Sequence, residues 1–166
     1  MNAPTYDVLF LCTGNSARSI MAEAILNQLG RGTFRAYSAG SHPKGEVNPF
    51  ALAQLKKVGL STEGCRSKSW SEFSGPDTPM DFVFTLCDKA HTEACGMIWP
   101  GDPITAHWGI ADPAAVEGTE EEKVQIFAQA FLQLQTRIAL FLALPIESID
   151  RLSLNKKLTN IGESES

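Results

Sequence analysis

The chain has 166 residues, 14 Lys and Arg against 19 Asp and Glu, a formal net charge of −5 and 43% hydrophobic residues. That length predicts one domain over 1–166, with a core at about 6–144 and a C-terminal extension at 145–166, large enough to need no disulfide or metal staple. An acidic balance with no Lys/Arg block excludes a duplex-binding surface, and no apolar run approaches the ~18 residues of a membrane span.

Met1–Asp7 lacks the cationic stretch and apolar segment of a signal peptide, so the expected setting is cytoplasmic, with no membrane or nucleic-acid partner. The expected fold class is α/β. Tyr6–Leu11 is apolar enough for a strand buried on both faces. Ser19–Leu29 then puts Met21, Ala24, Ile25 and Leu29 on one helical face, Gly30-Arg31-Gly32 ends the helix, and Thr33–Ser38 is strand-forming. Asn48-Pro49 is a cap and first-turn signal for a helix carrying Phe50, Leu52, Ala53, Leu55 and Val58, stopped at Gly59. Asp81–Leu86 is a third buried strand, followed by a polar stretch from Cys87 to Pro103 and a short strand at Ile104–Trp108. Gly109–Gly118 is a loop. Thr119-Glu120-Glu121-Glu122 matches a capping box, so its carboxylates serve a helix N-terminus rather than a metal. That helix repeats Val124, Phe127, Phe131, Leu134, Ile138 and Phe141 as a core stripe until Pro145. One further short helix is expected at Ile149–Ile161, with Gly162–Ser166 disordered.

Strands alternating with helices imply a four-stranded parallel sheet flanked by helices on both faces, a flavodoxin-type three-layer sandwich. Ligands in such sheets sit at the carboxyl ends of the strands. Cys12 ends the first strand and Cys87 the third, so two thiols far apart in sequence are expected to be neighbours.

Cys12-Thr13-Gly14-Asn15-Ser16-Ala17-Arg18-Ser19 joins the first strand to the first helix. Backbone amides of Thr13, Gly14, Asn15, Ser16, Ala17 and Arg18 would form an anion nest at the positive end of the helix dipole. Arg18 could return to clamp two oxygens of a tetrahedral oxyanion in a bidentate fork. The same field favours thiolate over thiol, lowering a cysteine from about 8.5 toward roughly 3.5–7.5, so Cys12 is the candidate nucleophile. A nucleophile that esterifies an oxyanion needs an acid for the departing oxygen, and Asp112, ahead of Pro113 in the loop after the fourth strand, is placed for it.

Without an export signal, the four cysteines are better suited to catalysis or redox work than to structural bridges. Three readings compete for the Cys87-Asp88-Lys89-Ala90-His91-Thr92-Glu93-Ala94-Cys95 segment. Zinc usually takes cysteine pairs two to four residues apart with a second pair elsewhere, and here, with His91 between the thiols, only Cys65 remains to complete a site; inert half-buried thiols are the second option; disulfide exchange is the third and favoured one. A helix over that segment would hold its ends ~12 Å apart, beyond the ~7 Å a disulfide allows, so pairing would require unwinding. Cys65 is a bystander thiol.

The Leu11–Ser19 run, with Met21-Ala22-Glu23 after it, resembles the signature of the low-molecular-weight tyrosine phosphatase superfamily. Thr85-Leu86-Cys87-Asp88, His107-Trp108-Gly109 and Asp112-Pro113-Ala114 are similar to its thioredoxin-coupled arsenate reductase branch, over about residues 6 to 142. The resemblance implies that Cys12 attacks arsenate held by the loop and Arg18, that Ser19 stabilises the thiolate, and that Asp112 protonates the leaving hydroxide. It further implies that Cys87 attacks Cys12 to release arsenite, and that Cys95 moves the disulfide to Cys87–Cys95 for thioredoxin or a similar thiol reductant. Phosphate and sulfate would mimic the substrate. No cofactor is required, although some relatives hold a monovalent cation, potassium, behind the loop, and Asn15, Glu23 and Ser38 match part of that pattern. Ala17 replaces a second loop cysteine common in the family, and the Cys87–Cys95 spacing is one residue longer than usual. Ala114-Ala115 stands where tyrosine phosphatases often carry aromatic residues. The alternatives are a phosphatase using Cys12, Arg18 and Asp112 alone, and a non-catalytic oxyanion sensor.

Overall fold

In the computed structural model, which describes residues 5–94, 97 and 99–163, the first apolar run forms strand β1, Tyr6–Cys12. Val8, Leu9, Phe10 and Leu11 are fully buried, as a strand covered on both faces requires. Strands β2 (Phe34–Gly40), β3 (Phe82–Thr85) and β4 (Ile104–His107) join it in a parallel sheet of order β2-β1-β3-β4. The register sets Cys12 against Gly40, Leu11 against Thr85, and Thr85 against His107, so β1, β3 and β4 all end at one edge.

Helices α1 (Arg18–Leu29), α2 (Pro49–Lys57), α3 (Asp88–Ala94), α4 (Glu120–Leu142) and α5 (Arg151–Glu163) complete the fold. Two helix starts follow the expected cap chemistry. The Asn48 side chain accepts from the Phe50 amide ahead of Pro49, and Thr119 and Glu122 close a reciprocal capping box. Ile20 and Ile25 of α1 and Phe127, Phe131 and Phe141 of α4 pack with Phe10 and Phe84 on one face of the sheet. Each fully buried aromatic ring there contributes on the order of 1.5–3 kcal/mol by leaving water. Leu9, Leu11 and Val83 on the other face meet Phe73, Met80 and Trp99.

Three sequence expectations need correction. Leu29 and Val58 lie near the ends of their helices, beside Gly30 and Gly59, and are about half exposed at 47% and 45%, and Val124, near the start of α4, is exposed rather than part of the core stripe. The stretch after Cys87 contains an element of its own, α3. Gly162 and Glu163 are not a disordered tail but the last turn of α5. Gly162 permits this docking, because a Cβ there would run into the His107 carbonyl, and Trp108 Nε1 fastens the helix by donating to the Leu158 carbonyl at 2.9 Å. Residues 164–166 of the expected tail lie outside the described residues. Among the described residues no helix is long and apolar enough to cross a membrane.

Candidate active site

The turn between β1 and α1 is shaped by its neighbours. The Thr13, Gly14 and Ser16 carbonyls accept hydrogen bonds from the amides of His42, Lys44 and Asn48 at 2.8–2.9 Å. Because a peptide's N–H points opposite to its C=O, the amides of Gly14, Asn15 and Ala17 are turned away from those three partners. Asn15 holds the left-handed backbone conformation, φ 46°, that makes such a run of amides concave. It is itself fully buried: its Nδ2 donates to Ser19 Oγ at 2.8 Å and its Oδ1 accepts the Lys68 amide at 2.8 Å. Ala17, at the cap position of α1, offers no side-chain cap, leaving the first-turn amides for an anion. Gly40 is required beside the loop, since a Cβ there would strike the Thr13 carbonyl.

A cavity of about 300 Å³ opens over this turn, and its walls include Cys12, Arg18, His42, Lys44, Cys87 and Asp112. Arg18 Nη1 donates to the Ile110 carbonyl at 2.8 Å, and Nη2 lies 3.7 Å from Asp112 Oδ2. The guanidinium thus ties the loop to the segment after β4. Asp112 Oδ1 accepts the Ala114 amide at 3.0 Å, which fixes the carboxylate at the start of a short 3₁₀ turn. A second cavity of about 500 Å³ shares Arg18, Cys87 and Asp112 and is walled by His107 and Gly162. The C-terminal helix therefore reaches the candidate site, which the sequence pattern gave no means of seeing.

The expected neighbourhood of the two thiols is present. Cys12 and Cys87 are both buried and both free, and they pack together with Ala90. Cys87 Sγ lies 3.3 Å from Thr13 Oγ1 and accepts the Ala90 amide at 3.4 Å, at the start of α3. The two thiols also share a hydrogen bond, which acts oppositely on them. It lowers Cys87 to about 5, with help from Thr13, the Ala90 amide and the Arg18 charge against burial. It raises Cys12 above the ordinary thiol range, with burial second, outweighing the opposing influence of Arg18 and the Thr13 amide. The opposed shifts mean that the pair gives up one proton and keeps the other.

Ser19, expected to bond Cys12, is fully buried and accepts from Asn15 instead, so its contact with the loop is made through that side chain. Glu23 and Ser38, the expected cation ligands, are joined at 2.9 Å, and the ammonium of Lys68 stands beside them. Lys68 is a site-adjacent residue the sequence did not reveal. Cys95 lies outside the described residues. Cys65 is half-buried, with its thiol raised by burial, and lies away from the loop cavity in the connector after α2.

A parallel sheet whose carboxyl edge carries a concave amide loop, a guanidinium, a carboxylate and two coupled thiols defines a cysteine-based enzyme of oxyanion chemistry. The profile of the low molecular weight phosphotyrosine protein phosphatases matches residues 7–157, and the chain belongs to that family. An arsenate reductase of Bacillus subtilis (strain 168) is 38% identical over 136 residues, covering 81% of this chain and 93% of that protein. The solved structure of an arsenate reductase in the phosphate binding state is similar with a TM-score of 0.62 and 27% identity, covering 81% of this chain and 95% of that one. A thioredoxin-dependent arsenate reductase of Corynebacterium glutamicum gives a TM-score of 0.57 and 25% identity, covering 84% of this chain and 65% of that one.

Proposed function

We propose that this protein is an arsenate reductase working through a thiol relay that begins at Cys12. The observation that carries the reading is the second thiol, Cys87, packed against Cys12 and hydrogen-bonded to Thr13 at the lip of the oxyanion loop. Hydrolysis of a phosphoester requires one nucleophilic sulfur; reduction of an oxyanion requires a second sulfur able to attack the first. The relatives named as arsenate reductases support the same choice.

Arsenate binds in the loop, its oxygens on the inward amides and the Arg18 guanidinium. A proton shift along the S–H···S bond from Cys12 to Cys87 gives the attacking thiolate. Cys12 Sγ then forms a bond to arsenic, and one arsenic–oxygen bond breaks as Asp112 delivers a proton to the leaving hydroxide, which departs as water. Cys87 returns its proton to the Asp112 carboxylate left by that step and, as a thiolate, attacks Cys12 Sγ. The sulfur–sulfur bond forms, the sulfur–arsenic bond breaks, and its electron pair stays on arsenic, which passes from As(V) to As(III) and leaves as arsenite. Two thiols are oxidised by one electron each, and arsenic gains two. Cys95 is the candidate to attack Cys87 and pass the disulfide to a dithiol protein of the thioredoxin type, which places the cycle in a reducing compartment such as the cytosol.

The test is arsenate-dependent NADPH consumption with thioredoxin and its reductase, run beside hydrolysis of an aryl phosphate. Native protein is expected to turn over arsenate through many cycles. Cys87→Ser is expected to lose arsenite release while keeping aryl-phosphate hydrolysis within about tenfold, because the loop, Arg18 and Asp112 are untouched. Arsenate turnover that survives Cys87→Ser would contradict the relay, and hydrolysis without any arsenate reduction in native protein would favour a phosphatase.

A further inference from the structure

Behind the oxyanion loop, away from the cavity, a lysine occupies a place where lysines are rarely found. Lys68 is buried; its Nζ donates to the Arg66 carbonyl at 3.0 Å and to Ser38 Oγ at 3.3 Å, and lies 3.6 Å from Glu23 Oε1. Those oxygens are a carboxylate, a hydroxyl and a backbone carbonyl, the donor set that hard monovalent cations take. They do not fit a further cation, because the ammonium is already among them. The same residue grips the loop through its backbone: its amide donates to Asn15 Oδ1 at 2.8 Å, and its carbonyl accepts the Gly40 amide at 2.9 Å. Next to it, Ser67 Oγ donates to the Gly14 carbonyl at 3.0 Å. The charged group that faces half-buried Glu23 and the amide that orients Asn15 thus belong to one residue.

We infer that Lys68 is a built-in cation: its ammonium does the work of a bound monovalent ion behind the loop, fixes the Asn15 turn, and makes oxyanion binding independent of potassium. Lys68 is a positioning residue acting on the substrate through Asn15 and touching no reacting atom. Burial alone explains neither feature of the arrangement, since an apolar side chain would pack against Ser38 but leave the Glu23 carboxylate uncompensated. The inference deepens the oxyanion-loop reading and rests on it. It holds whether the anion is arsenate or a phosphoester, so sulfate serves as the probe and arsenate turnover is not needed to judge it.

The experiment measures the affinity of inorganic sulfate, from the shift in Tm, in potassium chloride and in choline chloride at equal ionic strength. Native protein is expected to bind sulfate equally in both salts. Lys68→Ala, which clears an ammonium-sized space among the three oxygens, is expected to bind sulfate about tenfold more weakly in choline and to recover to within about threefold in potassium. By reciprocity, sulfate should tighten potassium binding to that variant by the same factor. Lys68→Met, which fills the space with an apolar chain, is expected to lose affinity without recovery in either salt. A native protein that already responds to potassium would overturn the inference. So would a Lys68→Ala protein with native affinity in choline, one recovering equally in both salts, or one unfolded in both. A variant that folds in potassium and not in choline would support it. Failure of arsenate reduction in the coupled assay would leave these results standing, which separates this inference from the enzyme assignment.

Discussion

Cys12 and Cys87 touch, yet the segments that carry them are held by opposite means. Behind Cys12, Asn15 and Ser19 are fully buried and hydrogen-bonded to each other, with Lys68 closing the arrangement from below. Behind Cys87, α3 is fastened by side chains at the surface. Asp88, 99% exposed, meets His107 Nε2 at 2.9 Å, and Glu93 accepts from Ser41 Oγ at 2.9 Å and faces His42 Nδ1 at 3.4 Å. Beneath α3 lies a cavity of about 510 Å³ bordered by His91, Ala94, Met97, Trp99 and His107. Buried, fully satisfied contacts give a single geometry, whereas exposed ion pairs are screened and cheap to open. The difference suits the proposed chemistry: the anion-binding turn must not change shape, and the segment running from Cys87 toward Cys95 must change shape for the relay to proceed.

The comparison breaks most readily at Asn15. Asn15→Ala strands the buried Lys68 amide and removes the Ser19 contact at a left-handed position that alanine adopts poorly. The expected loss is about 2–4 kcal/mol of stability, read as a fall in Tm, with kcat/KM lower on the order of 10²-fold as the loop amides lose alignment. Native-like activity in Asn15→Ala would mean that the loop does not depend on its buried supports. The smallest effect is expected on the other side. Asp88→Ala should leave Tm within about 2 °C, because an exposed pair contributes little, while speeding amide hydrogen exchange within α3. Protection in α3 that is unchanged by Asp88→Ala would remove the idea that this helix is lightly held.

Much of this is legible in the sequence, for reasons that differ by region. The loop is encoded locally: a buried strand, a thiol, a glycine and an arginine six residues later all fall within one strand-turn-helix. The nearness of Cys12 and Cys87 follows from topology, since adjacent parallel strands must end at one edge. Lys68 is illegible, because Ser67-Lys68-Ser69 has the look of a solvated turn and becomes an interior only when β2 and α1 fold around it. The approach of Gly162 to the site depends in the same way on how α5 lies against β4. The charge on the thiols is illegible for another reason. The positive field of the loop acts on both sulfurs, and their mutual hydrogen bond, invisible in either sequence segment alone, decides which keeps the proton.

The two thiols share one proton, and pH-dependent alkylation with the modified cysteine mapped by mass spectrometry tests this without intermediaries. Below about 5 both thiols are protonated and reaction should be slow; as pH rises through about 5, Cys87 should become reactive while Cys12 remains a thiol. Cys87→Ala removes the contact that raises Cys12, so Cys12 alkylation should then begin at lower pH than in native protein and be blocked by sulfate. Two thiols that both stay inert until about 8.5, in native protein and variant alike, would contradict the account.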